Sequence, residues 1–307
     1  MFKTLIIILL IGSMAVNIFF IAKDKQKESS DFENLTKKYP YIAKRVLIED
    51  PSDVLINFHP LREQLKDYTK QFGDSFTFYF EYLPTGVSIG INERTQFYSA
   101  SLVKVPLTMA FLEYSRKQNL DLDQKIQVKK EELDSRFGDL WKIGEGGEVS
   151  LRKVLEFTLT ASDNTAAQIL LNRISKESYH SIFESLDIEI DEEEGQIVLT
   201  TKGYASILKA LYFASILNKD DSNYILNLLT QTQFNDKLTA SIPKEISVAH
   251  KIGVYFDNLV QQDCGIIYLP KRPYLLCMAS QSDMHESNKR MQKVSEIIYK
   301  YMIQVEE

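Results

Sequence analysis

The sequence predicts an α+β fold, in which an antiparallel five-stranded sheet is flanked by helices and an all-helical subdomain is inserted in the middle. Three observations predict this fold. Two short segments of alternating residues follow a first amphipathic helix, a long block with helical spacing comes next, and three further strand-like segments precede a terminal amphipathic helix. Early and late strands separated by helices are typical of an antiparallel sheet that carries an insertion.

The first part of the predicted sheet is a helix followed by a hairpin. Leu61–Phe72 has apolar residues at three- and four-residue spacing, which predicts a helix. Ser75–Tyr82 alternates aromatic and polar residues as a strand does. After the turn Leu83–Gly86, the segment Val87–Asn92 returns as the second strand.

The central block of the chain is predicted to be helical. Four segments carry the helical spacing, and they are Ser101–Gln118, Ser150–Leu159, Asn164–Ile174 and Lys202–Leu217. We expect the helical subdomain to span about residues 112–235.

Strand character returns in the last part of the chain. The predicted strands are Ile246–Gly253, Cys264–Leu269 and Tyr274–Ala279, and Pro270–Pro273 predicts the connection between the last two. The chain then closes on an amphipathic helix that we expect to pack on the sheet. Its expected buried stripe is Met291, Val294, Ile297, Ile298, Tyr301, Met302 and Val305.

The two cysteines, Cys264 and Cys277, lie on either side of the Pro270–Pro273 connection. On adjacent antiparallel strands they could face each other and form a disulfide in an oxidising compartment. Two buried thiols that act as small apolar side chains are an equally good interpretation.

The composition is that of a globular protein. The chain has 307 residues, of which 44% are hydrophobic and 25% charged, which is enough for a substantial core. The net charge of −6 arises without a long basic run, which argues against a nucleic-acid partner. The four histidines are scattered and no His/Cys cluster has the spacing of metal ligands, so no metal or other cofactor is predicted.

The start of the chain predicts a membrane anchor. Thr4–Ala22 is a run of 19 residues without a charge. As a helix it would be about 28 Å long, close to the thickness of a bilayer core. We interpret residues 1–22 as an uncleaved signal anchor with its transmembrane segment at 4–22, residues 23–50 as a polar linker, and residues 51–307 as the folded domain. A cleaved secretory signal is the alternative, although no small-x-small cleavage site follows the run.

A serine and a lysine lie at the start of the first central helix. Ser101 and Lys104 are three residues apart, so on a helix their Cβ atoms would be roughly 5–6 Å apart on one face. An amine at that distance can take the proton of a serine, which makes Ser101 a candidate nucleophile and Lys104 its candidate base. The pattern alone is not specific, because Ser-x-x-Lys also begins at Ser150, Ser206 and Ser241.

Two further motifs follow along the chain. Ser162, Asp163 and Asn164 fall between two predicted helices, where a serine hydroxyl can relay a proton and an asparagine amide can bind a substrate amide. Lys251 and Gly253 lie on a predicted strand, where a cation can hold a carboxylate and a glycine lets a ligand approach the backbone. Taken alone, the triplet is also a typical helix N-cap sequence.

A competing serine occurs earlier in the chain. Ser88 lies in a Gly-x-Ser-x-Gly sequence, the nucleophile elbow of α/β-hydrolases. That motif needs a strand, a sharp turn and then a helix, whereas Ser88 continues into a predicted strand. We interpret the match as coincidental.

The order of these motifs resembles that of the penicillin-recognising serine enzymes, the class A β-lactamases and the penicillin-binding proteins. Their signature set is Ser-x-x-Lys, Ser-Asp-Asn and Lys-Thr-Gly. The likeness extends from about Val54 to Ser280. The resemblance implies a β-lactamase/transpeptidase-like fold and an acyl-enzyme formed with β-lactams or with cell-wall peptides that end in D-alanine.

The resemblance also implies a role for each motif residue. Ser101 would be the nucleophile, Lys104 its base and Ser162 the relay that carries a proton to the leaving nitrogen. The N–H groups of Ser101 and Val254 would form the oxyanion hole. Burial and the positive charge of Lys251 would lower the pKa of Lys104. The implied substrate-binding residues are Asn164 for the acyl-side amide, Lys251 for the carboxylate, and Gly253 and Val254.

Two departures from the family pattern shape the expected activity. Ile252 stands where the family has a hydroxyl. A hydrogen bond to a charged group is worth roughly 1.5–3 kcal/mol, so its loss should make recognition of the substrate carboxylate weaker or leave it to other groups. The Glu-x-x-Leu-Asn loop, whose glutamate activates the deacylating water in class A enzymes, is not found; the corresponding acidic loop holds Glu192, Glu193 and Glu194. We therefore expect a D,D-peptidase or slow β-lactam acylator. The alternatives are a true class A-type β-lactamase and a catalytically weak member of the fold that binds peptidoglycan or a protein.

The implied substrates lie outside the cytoplasm, which decides the expected location. We expect a single-pass protein of the cell membrane with its catalytic domain on the outer side. The lysines that follow the apolar run, Lys23, Lys25 and Lys27, favour the opposite orientation by the positive-inside rule. The expected partners are the membrane, through the N-terminal helix, and a small-molecule or cell-wall peptide substrate.

Overall fold

The computed structural model describes Lys23 and residues 56–193, 196–257 and 259–304. The chain divides at Leu55 into two units, and the fold below is that of the second, Ile56–Glu307. The predicted transmembrane segment and, apart from Lys23, the predicted linker lie outside the described residues. Within the described ranges, no helix is both long and apolar enough to cross a membrane.

Eight α-helices and ten strands make up the described part of this unit. The helices are α1 His59–Thr69, α2 Lys104–Lys117, α3 Leu151–Thr160, α4 Asn164–Leu171, α5 Lys176–Glu184, α6 Thr201–Tyr212, α7 Lys219–Leu229 and α8 Met284–Gln304. The strands are β1 Phe76–Tyr82, β2 Val87–Ile91, β3 Gln96–Tyr98, β4 Lys125–Gln127, β5 Glu148–Ser150, β6 Asp191–Glu193, β7 Gln196–Thr200, β8 Val248–Tyr255, β9 Val260–Ile267 and β10 Tyr274–Gln281.

Five of these strands form one antiparallel sheet in the order β2–β1–β10–β9–β8. The early hairpin and the three late strands meet where β1 pairs with β10, in a register that places Tyr79 opposite Cys277. The predicted five-stranded antiparallel sheet with flanking helices is therefore confirmed. The largest difference in a strand boundary is at β9, which begins at Val260 rather than Cys264, because the buried residues Gln261 and Gln262 are polar and do not give a strand pattern. The other predicted boundaries of β8, β9 and β10 differ by up to two residues.

Both faces of the sheet are buried. Phe76, Phe78 and Phe80 of β1 pack into the core that contains residues of α1 and α8, whereas Tyr79 packs into the core formed with the central helices. This alternation follows from the two-residue period of a strand. In α8, the predicted stripe is buried at five positions, Tyr301 is half-buried, and Val305 lies outside the described residues.

The central helices agree with the sequence patterns only in part. The patterns missed α5 and α7, together with the short strands β3 to β7. The buried apolar residues of α5 are Tyr179, Ile182 and Phe183, and those of α7 are Ile225, Leu228 and Leu229. In each helix they span little more than one turn, which is too short to indicate a helical period in the sequence.

The helix predicted from Ser101 begins three residues later. Ala100–Val103 forms a 3₁₀ turn, and α2 starts at Lys104. Pro106 lacks a backbone N–H, which is tolerated in the first turn of a helix because the N–H groups there have no intrahelical partner. Ser101 therefore lies in a tight turn that leads into α2.

Cys264 and Cys277 face each other across β9 and β10. Their Cα atoms are 3.9 Å apart, and the structure joins the two side chains in a disulfide. Both residues are fully buried on the side of the central helices. Of the two interpretations that the sequence left open, the structure has the cross-strand disulfide.

Candidate active site

Ser101 and Lys104 are in direct contact at the start of α2. Lys104 Nζ donates a hydrogen bond to Ser101 Oγ at 3.1 Å. In a 3₁₀ turn, side chains three residues apart are eclipsed, which aligns the hydroxyl with the amine. The preceding Ala100 has a φ of 45°, a left-handed conformation that is strained for a residue with a Cβ. Ser99 holds this turn in place, because both its N–H and its hydroxyl donate to the carbonyl of Ile197.

The amine of Lys104 is buried among hydrogen-bond acceptors. The residue is 5% exposed, and Nζ donates to Ser162 O at 2.5 Å and to Asn164 Oδ1 at 2.7 Å. Ser162 Oγ lies 3.4 Å from the same amine. Burial lowers the pKa of Lys104 to about 8, and the carboxylates of Asp163 and Asp134 oppose that effect.

Lys251 brings a second amine to the same hydroxyl. Its Nζ donates to Ser162 Oγ at 2.7 Å and to Ile252 O at 3.1 Å, and the residue is fully buried. Burial lowers the pKa of Lys251 well below its usual value, and the charge of Lys104 lowers it further. Burial is also the main cause of the lowered pKa of Lys104, as predicted. Repulsion between the two buried amines disfavours the state in which both are protonated.

The triplet Ser162–Asn164 forms a strained and tightly held turn. Ser162 has a φ of 54°. The fully buried Asp163 caps α4, since its Oδ1 accepts from Ala166 N at 2.8 Å, and its Oδ2 accepts from Leu140 N at 2.8 Å. The triplet is therefore a helix cap, and the same cap aims Ser162 and Asn164 at Lys104.

Sequence patterns missed the segment 134–140, which packs against this turn. Asn164 N donates to Phe137 O at 3.0 Å, and a Cβ on Gly138 would lie 2.1 Å from Asp163 Oδ2. The ring of Phe137 is 5.7 Å from that of Phe234, which belongs to the loop after α7. Within this segment, the only signal was Gly138 after Phe137 in a polar stretch. The residues that contact the segment lie far along the chain, so no local pattern could indicate the contact.

Gly253 allows β8 to lie against the turn that carries Ser101. A Cβ at this position would be 2.5 Å from Gln262 Oε1 and 3.1 Å from Ser99 O. The structure thus gives this glycine a packing role between strand and turn. Val254 follows it on β8, an edge strand of the sheet, which places the backbone of Val254 next to the segment that carries Ser101.

The acidic loop considered as a source of a hydrolytic glutamate forms the hairpin β6–β7. The strand β7 pairs with β3, which ends just before the Ser101 turn. Glu192 and Glu193 lie in β6, and Glu194 lies outside the described residues. This hairpin supplies the carbonyl of Ile197 that anchors Ser99.

Ser88 has none of the surroundings of a nucleophile elbow. It lies within β2, and its carbonyl accepts a hydrogen bond from Arg62 at 2.7 Å. The element after β2 is the short strand β3, so no helix begins directly after Ser88.

Comparison with known proteins identifies relatives of this chain. A model of the beta-lactamase enzyme family matches residues 60–302. Beta-lactamase VEB-1 of Pseudomonas aeruginosa is 24% identical over 230 residues, which cover 67% of this chain and 77% of that protein. A beta-lactamase of Phocaeicola vulgatus is 20% identical over 247 residues, which cover 71% of this chain and 77% of that protein.

Solved structures share the fold. PBP-A superposes with a TM-score of 0.73 at 20% identity, covering 80% of this chain and 97% of its own. TLA-3 extended-spectrum beta-lactamase gives the same TM-score of 0.73 at 20% identity, covering 80% of this chain and 100% of its own. A PBP-A mutant solved as an acyl-enzyme complex with penicillin G has a TM-score of 0.72 at 20% identity, covering 80% of this chain and 97% of its own.

The family match includes all of the motif residues, from Ser101 to Val254. The β-lactamase-like α+β fold of the structural neighbours agrees with the observed five-stranded sheet and its helices. This chain belongs to the beta-lactamase enzyme family.

Proposed function

We propose that this protein is a serine hydrolase that forms an acyl-enzyme on Ser101 with β-lactams or with D-Ala-D-Ala-type cell-wall peptides. The observation that carries the proposal is the buried amine of Lys104, which lies 3.1 Å from Ser101 Oγ and has a pKa lowered to about 8. A buried lysine that is partly neutral near pH 7 is a suitable base for a serine nucleophile.

Acylation follows from the contacts around Ser101. Neutral Lys104 accepts the proton of Ser101 as Oγ attacks the carbonyl carbon, and the N–H groups of Ser101 and Val254 stabilise the oxyanion. When the carbon–nitrogen bond breaks, Ser162 gives its hydroxyl proton to the leaving nitrogen. Lys104 then returns the proton to Ser162, whose Oγ lies 3.4 Å from the amine.

The remaining polar groups bind the substrate. Asn164 uses Oδ1 to accept from Lys104, so its amide N–H groups are the ones that can donate to an acyl-side carbonyl. Lys251 pairs with the substrate carboxylate, and that charge favours the protonated amine in a buried site. The family's hydroxyl is replaced by Ile252, so carboxylate binding depends more heavily on Lys251.

Slow removal of the acyl group is the second part of the proposal, and it favours a D,D-peptidase or slow β-lactam acylator. The carboxylates that raise the pKa of Lys104 are those of Asp163 and Asp134. Both oxygens of Asp163 accept backbone N–H groups, and hydrogen bonds from Arg136 hold the pKa of Asp134 at about 2. Neither carboxylate is therefore a suitable base for a deacylating water.

Two other functions have support. A class A-type β-lactamase is favoured by the relatives VEB-1 and TLA-3, whose names state that activity. A catalytically weak member of the fold that binds peptidoglycan or a protein is favoured by the replacement of the family's hydroxyl by Ile252.

We also propose that the catalytic domain lies on the outer side of the cell membrane, held by a transmembrane segment at residues 4–22. The support is the uncharged run at those residues and the extracytoplasmic location of the proposed substrates. A protease added to intact cells should digest the C-terminal domain. Protection of the domain until the membrane is broken would overturn this location.

Replacement of the nucleophile should abolish covalent labelling. We expect wild-type protein and the control Ser88→Ala to gain the mass of one penicillin by mass spectrometry, and Ser101→Ala to gain none. Labelling of Ser101→Ala would refute the assignment. Absence of labelling in the wild type would favour the binding protein instead.

The acylation rate should rise with pH. Burial lowers the pKa of Lys104 from 10.5 to about 8, so roughly a tenth of the lysine is neutral at pH 7 and the rate levels off above pH 8. Stopped-flow acylation across pH 6–10 measures this midpoint. Lys104→Arg, whose side chain stays protonated throughout, should lose the rate and its pH dependence. A midpoint near 10.5 would contradict the role of burial.

The lifetime of the acyl-enzyme separates the enzyme classes. After mixing with penicillin and removal of the excess, we expect the adduct to persist for minutes, because the described carboxylates near Lys104 are already engaged. Mass spectrometry over time measures the decay. Loss of the adduct within milliseconds would favour the class A-type β-lactamase.

A further inference from the structure

A small cavity lies behind the turn that carries Ser101. It measures about 10 Å³, which is close to the smallest space that holds one water molecule. The wall includes Ser99, Leu102, Tyr204, Gln262, Cys264 and Cys277. The cavity therefore joins the Ser101 turn, α6 and the disulfide between β9 and β10.

Two polar atoms of the wall residues lack a hydrogen-bond partner among the residues that the structure describes. They are Tyr204 Oη and Gln262 Oε1. Both residues are 1% exposed, so bulk water does not reach them. A water molecule cannot touch either atom, and the surface of the cavity is apolar, so the cavity offers no hydrogen-bond partner to a water.

Gln262 also connects the sheet with the segment that precedes Ser101. Its Nε2 donates to Tyr98 O at 2.8 Å, across a separation of 164 residues. Its Oε1 lies 2.5 Å from the position that a Cβ of Gly253 would occupy. Gln262 and Gly253 are partners in the β8–β9 register. The side chain of Gln262 thus fills the space that Gly253 leaves between β8 and the turn.

The turn is consequently held from two sides. Ser99 is bonded to Ile197 on the hairpin side, and Tyr98 is bonded to Gln262 on the sheet side. Between these anchors and Ser101 lies Ala100, whose φ of 45° persists only if the surroundings enforce it. Loss of one anchor would let the turn relax and move Ser101 relative to β8.

We propose that Gln262 is a positioning residue for Ser101. It acts through the turn, by setting the distance between Ser101 and the strand that carries Val254. This role rests on the proposed acylation of Ser101.

The acylation kinetics of Gln262→Met test the positioning role. Methionine keeps the approximate size of glutamine but cannot donate to Tyr98 O. A misplacement of about 1 Å can cost on the order of 100-fold in rate, and we expect the acylation rate constant at saturating penicillin to fall roughly 10-fold. The concentration for half-saturation should change less than twofold, because Asn164 and Lys251 are untouched.

Gln261→Met is the matched control. Gln261 is the preceding residue of β9, is 3% exposed and likewise has an unpartnered Oε1, but it points to the opposite face of the sheet. We expect it to acylate within twofold of the wild type. Equal losses in both variants, or no loss in Gln262→Met, would overturn the positioning role. If Gln262→Met does not fold, Gln262→Leu, which also cannot donate to Tyr98 O, should still lower the rate, and an unchanged rate would overturn the proposal.

Crystal structures of the wild type and of Gln262→Met test the position of the turn without acylation. We expect the turn that carries Ser101 to move relative to β8 in Gln262→Met. An unchanged turn would overturn the proposal. If the turn moves but the wild type is never acylated by penicillin, the proposed function fails while the effect of Gln262 on the turn stands.

Discussion

The amine of Lys104 is buried among hydrogen-bond acceptors, and most of the site is arranged around that burial. Removal from water disfavours the charged form of an amine, so its pKa falls toward the range in which it can act as a base. The carbonyl of Ser162 and the amide oxygen of Asn164 keep the buried group satisfied. A second buried amine, Lys251, shares the Ser162 hydroxyl, so the protonation of the two lysines is linked.

The groups around Lys104 are presented on strained backbone. Ala100 and Ser162 have φ values of 45° and 54°, conformations that cost about 1–3 kcal/mol each for residues other than glycine. In each case a hydrogen bond holds the residue next to the strained one. Ser99 donates to the carbonyl of Ile197, and Asp163 accepts from the N–H of Leu140. The strain therefore lies next to Ser101 and at Ser162, and the hydrogen bonds of Ser99 and Asp163 stabilise these two turns.

The hairpin β6–β7 bears on the proposed reaction because it contains the acidic loop that was considered as a source of a hydrolytic glutamate. The loop forms two paired strands, and β7 also pairs with β3. The same hairpin supports the Ser101 turn through Ile197. These contacts hold the turn that the proposed acylation requires, and we favour a slow acylator over a rapid β-lactamase.

The sequence by itself determined the features that depend on short-range pattern. Alternation in β1 and β2, the apolar residues of α2 and α8, and the three-residue step from Ser101 to Lys104 are local, so they could be predicted without the fold. The three motifs were recognisable for the same reason. Other elements were missed or cut short: the buried apolar residues of α5 and α7 span little more than one turn, and β9 opens with polar residues that only a two-sided sheet buries.

The tertiary structure decided which distant residues meet. Lys251 reaches Ser162 across a separation of 89 residues, and Gln262 reaches Tyr98 across 164. It also chose the disulfide from the two interpretations of Cys264 and Cys277, because only the strand register fixes their distance. Local periodicity carries no information about such contacts. They depend on how the sheet edge, the Ser101 turn and the central helices pack together.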